Sequence, residues 1–344
     1  MIFFGVLFVF FQKKITNYYF SKRYATYPPA NGFYDYLNIP IGRGLAPKGL
    51  LRPHISCPTT SGTGSETTCI AICAIDSPDF GKTKTGIVHK QLYPVLAVID
   101  PLSTRSLPAS VVAASGFDVL SHAIESFTAR AFNVRSPAFT PQGKRPILQG
   151  KNPYADIGCR EALRLCGKYF LRAVSDPNDL EARNQMSFAS SIAGSAMGNA
   201  GTQLPHGLSY GVSGSVRSHR VPGYPQENPI IPHGMSVILH APSVARFSNP
   251  YCGELQQEIL HLLGHPKAAT TDVKDAGEQL ADYLIGLMKA TDTPNGLNAV
   301  GFTSDDVPKL VEKAFPQKRV IDNAPFPVSK DIIAQLYEGS MNYW

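Results

Sequence analysis

Asp118 and His122 stand four residues apart in Gly116-Phe-Asp-Val-Leu-Ser-His-Ala-Ile-Glu-Ser126, and two further histidines follow, His206 and His233, each inside a Pro-His-Gly tripeptide. One carboxylate and three imidazoles are enough ligands for a divalent transition metal. The i, i+4 spacing stacks Asp118 and His122 on one helix face, so a single helix would offer two ligands and separate elements the other two. An Asp and a His at this spacing are also a common surface pair or a satisfied core histidine. The surroundings favour the metal. Val111, Val112, Ala114, Phe117, Leu120, Ala123, Ile124 and Phe127 recur at helical spacing around the pair, where an unpaired carboxylate would be costly.

A second chemistry-bearing stretch is Pro58-Thr-Thr-Ser-Gly-Thr-Gly-Ser-Glu66. Gly62 and Gly64 would let backbone amides approach a ligand closely, while Thr59, Thr60, Ser61, Thr63 and Ser65 supply hydroxyl donors suited to a phosphate or a nicotinamide ribose. Composition alone also describes an ordinary loop. Its position after a strand candidate, His54 to Cys57, makes it more specific.

The elements that must position these residues fall into two regimes. Between residues 24 and 48, Pro28-Pro29 and Gly42-Arg-Gly44 read as loop with one short helix at most. Val95 to Ile99, closed by Asp100-Pro101, reads as a buried strand. Beyond Pro108 the pattern turns helical, with stretches expected at 109–131, 153–174, 178–199, 233–247, 253–263, 271–290, 304–315 and 330–341. Pro153 suits a first helical turn and Ser329 an N-cap. The small residues Ala193, Gly194, Ala196, Gly198 and Ala200 suggest a close contact just before His206. Two segments break the helical rhythm: 133–152, with Arg135 and Arg145, and 213–232, with Arg217, His219 and Arg220.

Composition bounds the rest. With 344 residues, 43% hydrophobic and 17% charged, the chain can bury a sizeable core and has room for two domains. The net charge of +6 sits in the first 55 residues, where Lys13, Lys14, Lys22, Arg23, Arg43, Lys48 and Arg52 face Asp35 alone, so no basic nucleic-acid-binding face is indicated. The six cysteines form no CxxC pair and read as free, mostly buried thiols of a reducing compartment. Met1 to Phe11 is nearly all apolar and is followed by Lys13-Lys14. It is too short to span a bilayer and fits neither a secretory signal nor an amphipathic presequence, so residues 1–23 stand apart as a segment of uncertain origin.

Pro58-Thr-Thr-Ser-Gly-Thr-Gly-Ser-Glu-Thr67, Gly116-Phe-Asp-Val-Leu-Ser-His-Ala-Ile-Glu125, His206-Gly and Pro232-His-Gly234 together resemble the signatures of the iron-containing (group III) alcohol dehydrogenases, in the order that family has them. Ser136-Pro, Gln149-Gly-Lys-Asn-Pro153, Leu180-Glu-Ala-Arg183, His206-Gly-Leu-Ser-Tyr210 and the long spacer before His233 resemble, within it, the hydroxyacid-oxoacid transhydrogenase branch. The resemblance implies a truncated Rossmann-like α/β remnant at 24–108 followed by a helical metal-binding domain at 109–344, the dehydroquinate synthase-like architecture. It implies Asp118, His122, His206 and His233 as metal ligands, for Fe(II) first with Zn(II) or Mn(II) as alternatives. It implies Thr59, Thr60, Gly62, Thr63 and Ser65, with Ser61 between them, at the nicotinamide half of NAD, and Lys84 along the cofactor, although a solvated hairpin lysine reads almost equally well. The implied chemistry is oxidation of 3-hydroxybutyrate or 4-hydroxybutyrate coupled to reduction of 2-oxoglutarate to 2-hydroxyglutarate through bound NAD, in the mitochondrion, by a homo-oligomer.

Two departures from the family stand out. Tyr210 occupies a position where most relatives carry a second histidine, and a phenol is a poor base at neutral pH. A transhydrogenase tolerates this, because the proton released by the hydroxy acid is taken up by the oxo acid. The second departure is that no Gly-Gly-Gly-Ser motif for the pyrophosphate precedes Thr59, so the first half of the cofactor domain is expected to be missing, with weakened NAD affinity and an exposed apolar face. Carboxylate substrates need cationic anchors, and Arg135, just beyond the Asp118 helix, is the first choice, followed by Arg145, Arg217 and His219. The alternatives are an ordinary NAD-dependent alcohol dehydrogenase and a catalytically silent metal-binding fragment.

Overall fold

The computed structural model describes residues 5–7, 32–39, 41–77, 81–134 and 147–344. The α/β part is small. Strand β1 (Gly5–Leu7) pairs in parallel with β2 (Ile55–Pro58), and β2 pairs in parallel with β5 (Leu96–Ala97). Between them an antiparallel hairpin, β3 (Ile70–Ser77) and β4 (Gly81–Val88), runs in continuous register from Ile70 opposite Val88 to Ser77 opposite Gly81. One face of the hairpin closes a minor core of Tyr36, Leu37, Cys69, Ala71, Cys73, Ile87 and Leu92.

The strand expected at Val95–Ile99 is shorter than its apolar run, and it is not buried: Val95 is 67% exposed and Leu96 53%. The reason is topological. β5 is the edge of the three-stranded sheet, with β2 its only partner among the described residues. The continuous apolar run, exposed on both faces of the strand, is the pattern of a strand built to be covered on both sides.

The larger part is helical: α1 (Ala109–Phe127), α2 (Pro153–Ser175), α3 (Leu180–Ala200), α4 (Leu204–Ser213), α5 (His233–Ile238), α6 (Ala241–Leu262), α7 (Ala276–Ala290), α8 (Val307–Ala314), α9 (Lys318–Ile321) and α10 (Lys330–Glu338). Local chemistry sets the boundaries. Asn152 caps α2 by accepting from Ala155 N, with Pro153 in its first turn, and Ser329 caps α10 by accepting from Ile332 N. The single helix expected at 233–247 is two, because Pro242 lacks an N–H and starts a new first turn. The gap expected before residue 253 is instead bridged by α6, which bends at Cys252 (φ −148°) two residues after Pro250. Helix α4 was not anticipated from the pattern, since Pro205, Gly207 and Gly211 interrupt its apolar periodicity.

Helix α1 lies at the centre of the core, with α2, α3 and α5 packed around it. Its residues from Phe117 to Ala123 are all buried, and Phe117 meets Phe170 of α2 edge-on at 4.9 Å between centroids. The Thr/Ser/Gly turn after β2 is fastened to this bundle. Gly64 adopts φ +57°, and a Cβ on it would lie 2.5 Å from both the Cα of Gly194 and the carbonyl of Ser190 on α3. A Cβ on Gly62 would lie 3.0 Å from Ser115 of α1. These glycines serve backbone-on-backbone packing, and the small-residue run on α3 is what receives the turn.

Two glycine substitutions should therefore move stability in opposite directions. Gly194→Ala places a Cβ 2.5 Å from the Gly64 carbonyl and should lower stability by ~1–3 kcal/mol. Gly286→Ala, in the middle of α7 with nothing within 4 Å, should raise it by ~0.8–1 kcal/mol. Thermal melting of the two variants beside the parent protein reads both signs.

Candidate metal centre

Three helices bring the acid and the histidines together. Helix α1 places Asp118, His122 and Glu125 on one buried face, as positions three, four and seven apart must. Helix α4 brings His206 and α5 brings His233. The glycine of the second Pro-His-Gly tripeptide makes the approach of α5 feasible: a Cβ on Gly234 would stand 1.9 Å from the Ala114 carbonyl and 2.9 Å from the Asp118 Cβ. His233 can stand beside Asp118 because its neighbour has no side chain.

All three imidazoles stand around one carboxylate oxygen. Asp118 Oδ1 lies 3.5 Å from His206 Nε2, 3.6 Å from His122 Nε2 and 3.8 Å from His233 Nε2. The ligand atoms of Asp118, His206 and His233 all fall within 4.8 Å of one another, and the His122 and His206 rings stack at 4.8 Å. Asp118, His122 and His206 are buried, and His233 is half-buried. Two ligands each about 2.1 Å from one ion at a tetrahedral angle would stand ~3.4 Å apart, close to these separations.

The chemistry of the donors fits a cation as well. Asp118 Oδ1 and His206 Nε2 are buried with no hydrogen-bond partner, a costly state unless an ion completes them. Burial would raise the Asp118 carboxyl, but His122, His233 and His206 around it outweigh that and hold it well below the ordinary carboxylate range. Burial pushes His122 and His233 down, favouring neutral imidazoles with a lone pair to give.

Glu125, which the motif contains but which was not singled out, organises the site from behind. Its Oε1 lies 2.7 Å from His206 Nδ1, and its Oε2 accepts from Gln203 N at 2.7 Å. Gln203 Nε2 in turn donates to the Glu125 carbonyl and to Thr128 Oγ1. An ionised Glu125 can only accept, so His206 carries its proton on Nδ1 and turns Nε2 toward Asp118. Desolvation would lower His206, but Glu125 and Asp118 together push it up to about 10. The signal for Glu125 lay in its spacing, seven residues after Asp118 and three after His122.

Around this centre stand three further residues. The buried Tyr210 stacks on His233 with 6.4 Å between centroids and 10° between planes. Tyr224, from the segment between α4 and α5, is buried, and burial together with the nearby Asp118 charge raises its phenol. Gly223 fits it in place: a Cβ there would lie 2.8 Å from Pro108 Cβ, and Ser110 Oγ donates to the Pro222 carbonyl. Lys84 of β4 is half-buried, and burial lowers its ammonium to about 8 while Asp118 pulls the other way.

The residues of the Thr/Ser/Gly turn reach the same region, because Gly62 abuts Ser115, one helical turn before Asp118. Ser61 Oγ pairs with Ser187 Oγ at 2.8 Å, Thr63 Oγ1 accepts from Ser65 N at 3.2 Å, and Ser65 Oγ is buried without a partner. Of the substrate anchors expected from the sequence, Arg217 and His219 are among the described residues. Arg135 and Arg145 lie outside the described residues. Arg217 is exposed, bonded to Asp306 and the Gly301 carbonyl, and so engaged at the surface. His219 is half-buried, and burial lowers it.

Comparison with known proteins places this geometry. Residues 22–101 match the profile described as iron-containing alcohol dehydrogenase, and residues 147–341 match that of the Fe-containing alcohol dehydrogenase family, C-terminal. The chain is 44% identical over 331 residues to the hydroxyacid-oxoacid transhydrogenase, mitochondrial, of Xenopus laevis and 43% identical to that of Homo sapiens, covering 96% of this chain and 69% of each relative. The chain belongs to the iron-containing alcohol dehydrogenase family. Among solved structures, a 1,3-propanediol oxidoreductase shares the fold with a TM-score of 0.75 at 24% identity, covering 93% of this chain and 72% of that one. A sulfoacetaldehyde reductase from Bifidobacterium kashiwanohense in complex with NAD+ aligns with a TM-score of 0.64 at 28% identity, covering 88% and 68%.

The hydrogen bond from His206 to Glu125 yields a measurable expectation. Glu125→Gln should weaken divalent-metal affinity by about 10- to 100-fold, since the amide no longer fixes the tautomer that presents Nε2. Competition against a chromophoric chelator measures it, and an affinity equal to that of the parent protein would show that Glu125 does not orient His206.

Proposed function

We propose that Asp118, His122, His206 and His233 hold one divalent ion, Fe(II) before Zn(II), and that the chain is a mitochondrial hydroxyacid-oxoacid transhydrogenase. The gathering of three imidazole nitrogens around Asp118 Oδ1, with that oxygen and His206 Nε2 buried and unpartnered, carries this reading. Oxygen and nitrogen donors without a thiolate suit Fe(II), and the family description names iron. The relatives' names supply the activity and the compartment.

The ion would bind and acidify a substrate hydroxyl, and NAD would carry the hydride. The protein's part is placement. Asp118 fixes the charge of the site, Glu125 fixes the tautomer of His206, and Tyr210 closes one side of His233. Thr59, Thr60, Ser61, Gly62, Thr63 and Ser65 would face the nicotinamide half of NAD, and their attachment to α1 and α3 sets the distance between cofactor and ligands. The phenol of Tyr210 offers no efficient path for a proton to solvent. That suits a reaction in which the alcohol proton of one acid is returned to the other, with no net exchange.

Two measurements test the reading. Metal-loaded protein given deuterated 3-hydroxybutyrate and 2-oxoglutarate, without and with added NAD, should place label in 2-hydroxyglutarate while no free NADH accumulates. Label that requires added NAD, with NADH appearing in solution, would instead mark an ordinary dehydrogenase, and no label in either case would mark a silent metal-binding chain. Tyr210→Phe should leave the rates of the two half-reactions, measured separately, within about twofold of the parent protein, as expected of a phenol that carries no proton to solvent. A loss beyond about tenfold in either would put the phenol in the proton path.

A further inference from the structure

We propose that Arg183 is a positioning residue for the cofactor: it holds the ends of β2 and β5 against α3, and so sets where the nicotinamide half of NAD lies relative to the metal ligands. The inference rests on the reading of the Thr/Ser/Gly turn as the nicotinamide contact. Arg183 closes the Leu180-Glu-Ala-Arg183 motif, which the metal centre does not use. Along α3 it opens a stripe with Ser187, Ser190 and Gly194, spaced so that all four share one helix face, and all four are buried. Each member of the stripe meets a strand end. Arg183 Nη1 donates at 3.1 Å to the carbonyl of Thr104, the last residue of the short 3-10 helix Pro101–Thr104 that follows β5. Ser187 Oγ pairs with Ser61 Oγ in the turn after β2 and donates to the Arg183 carbonyl at 3.0 Å. The Ser190 carbonyl and Gly194 lie against Gly64.

A guanidinium is a costly choice for this place. Arg183 is 4% exposed, its Nε is buried without a partner, and among the described residues it forms no ion pair. A neutral side chain would fill the seam without that penalty. What arginine adds is reach and a rigid fork of donors. Arg183 shares a small cavity with Ser61, Thr104 and Ser115, so close packing alone does not fix the junction, and the bond to Thr104 spans it. Ser103 Oγ donates to the Pro58 carbonyl at 2.8 Å and joins the two strand ends to each other, so a hold on one is a hold on both. In an open parallel sheet the ligand lies beyond the carboxyl ends of the strands, where these contacts are. Ser115 belongs to α1, three residues before Asp118, so the same junction abuts the helix that carries the first metal ligand. Without the guanidinium the free protein would spend part of its time with the strand ends out of place, and the apparent cofactor affinity would fall with the fraction that is competent.

Cofactor affinity and metal affinity, read on the same variants, decide the matter. NADH binding is followed by fluorescence and divalent-metal binding by competition with a chelator, for Arg183→Met, Arg183→Lys and a destabilised control, Ile333→Val in α10, which packs on α6 and α8. Arg183→Met should weaken NADH binding roughly 10-fold and leave metal affinity within about twofold of the parent protein. Arg183→Lys keeps one donor for the Thr104 carbonyl and should recover part of the loss. Ile333→Val should melt at a lower temperature with NADH affinity unchanged. Should Arg183→Met fail to fold, Ser187→Ala, which removes only the hydroxyl that meets Ser61, should still weaken NADH binding about threefold, and unchanged binding there overturns the role. NADH affinity undiminished in Arg183→Met, an equal loss in Ile333→Val, or metal affinity falling in parallel would each do the same. A parent protein that binds no NADH removes the cofactor reading of the turn and this role with it, whereas binding that the parent and Arg183→Met share equally removes the role alone.

Discussion

A buried carboxylate facing three imidazole nitrogens is the constraint around which this protein is arranged. Asp118 gains no hydrogen bond on its Oδ1, and each nitrogen around it stands slightly too far away to be a good donor. Such a cluster is unfavourable by itself and must be held by the packing around it. Helix α1 supplies the packing: fifteen of its nineteen residues are buried, so it can be shifted only by disturbing α2, α3 and α5 together. The Pro-His-Gly tripeptides follow from the same need. Gly234 lets one histidine helix touch α1, and Gly207 lets the other pack against Ile321.

Charge is distributed around that centre with little redundancy. Glu125 sits behind His206 and never reaches the converging point, so it adds negative potential and orientation without taking a ligand position. Tyr210 and Tyr224 enclose the region with rings whose hydroxyls remain polar in a largely apolar wall. The cluster of one carboxylate and three imidazoles is thus backed by a second buried carboxylate.

Much of this arrangement is legible in the sequence. Spacing within Gly116–Ser126 placed Asp118 and His122 on one face, and the two tripeptides marked His206 and His233, all four of which the fold brings together. Six of the eight expected helical stretches formed close to their expected places; of the other two, one is split by Pro242 and the second is joined to its neighbour across the bend at Cys252. What stayed hidden depends on partners distant in sequence. Glycines in the Thr/Ser/Gly turn suggested a ligand, yet Gly64 is needed by Gly194, 130 residues away, a relation no local pattern contains. The Val95–Ile99 run promised burial, but burial needs a covering layer, and a continuous apolar run cannot say whether one is supplied.

The seam between Gly64 and Gly194 bears on how the molecule can move. With backbone set against backbone there, and Gly62 against α1, the turn travels with the ligand-bearing helices as one rigid body. Among the described residues, one side-chain hydrogen bond, from Gln317, ties the β4 backbone to the stretch before α9, so the hairpin is fastened more lightly than the turn. A displacement of β4 would leave Asp118, His122, His206 and His233 in place, since all four are carried by helices of the bundle.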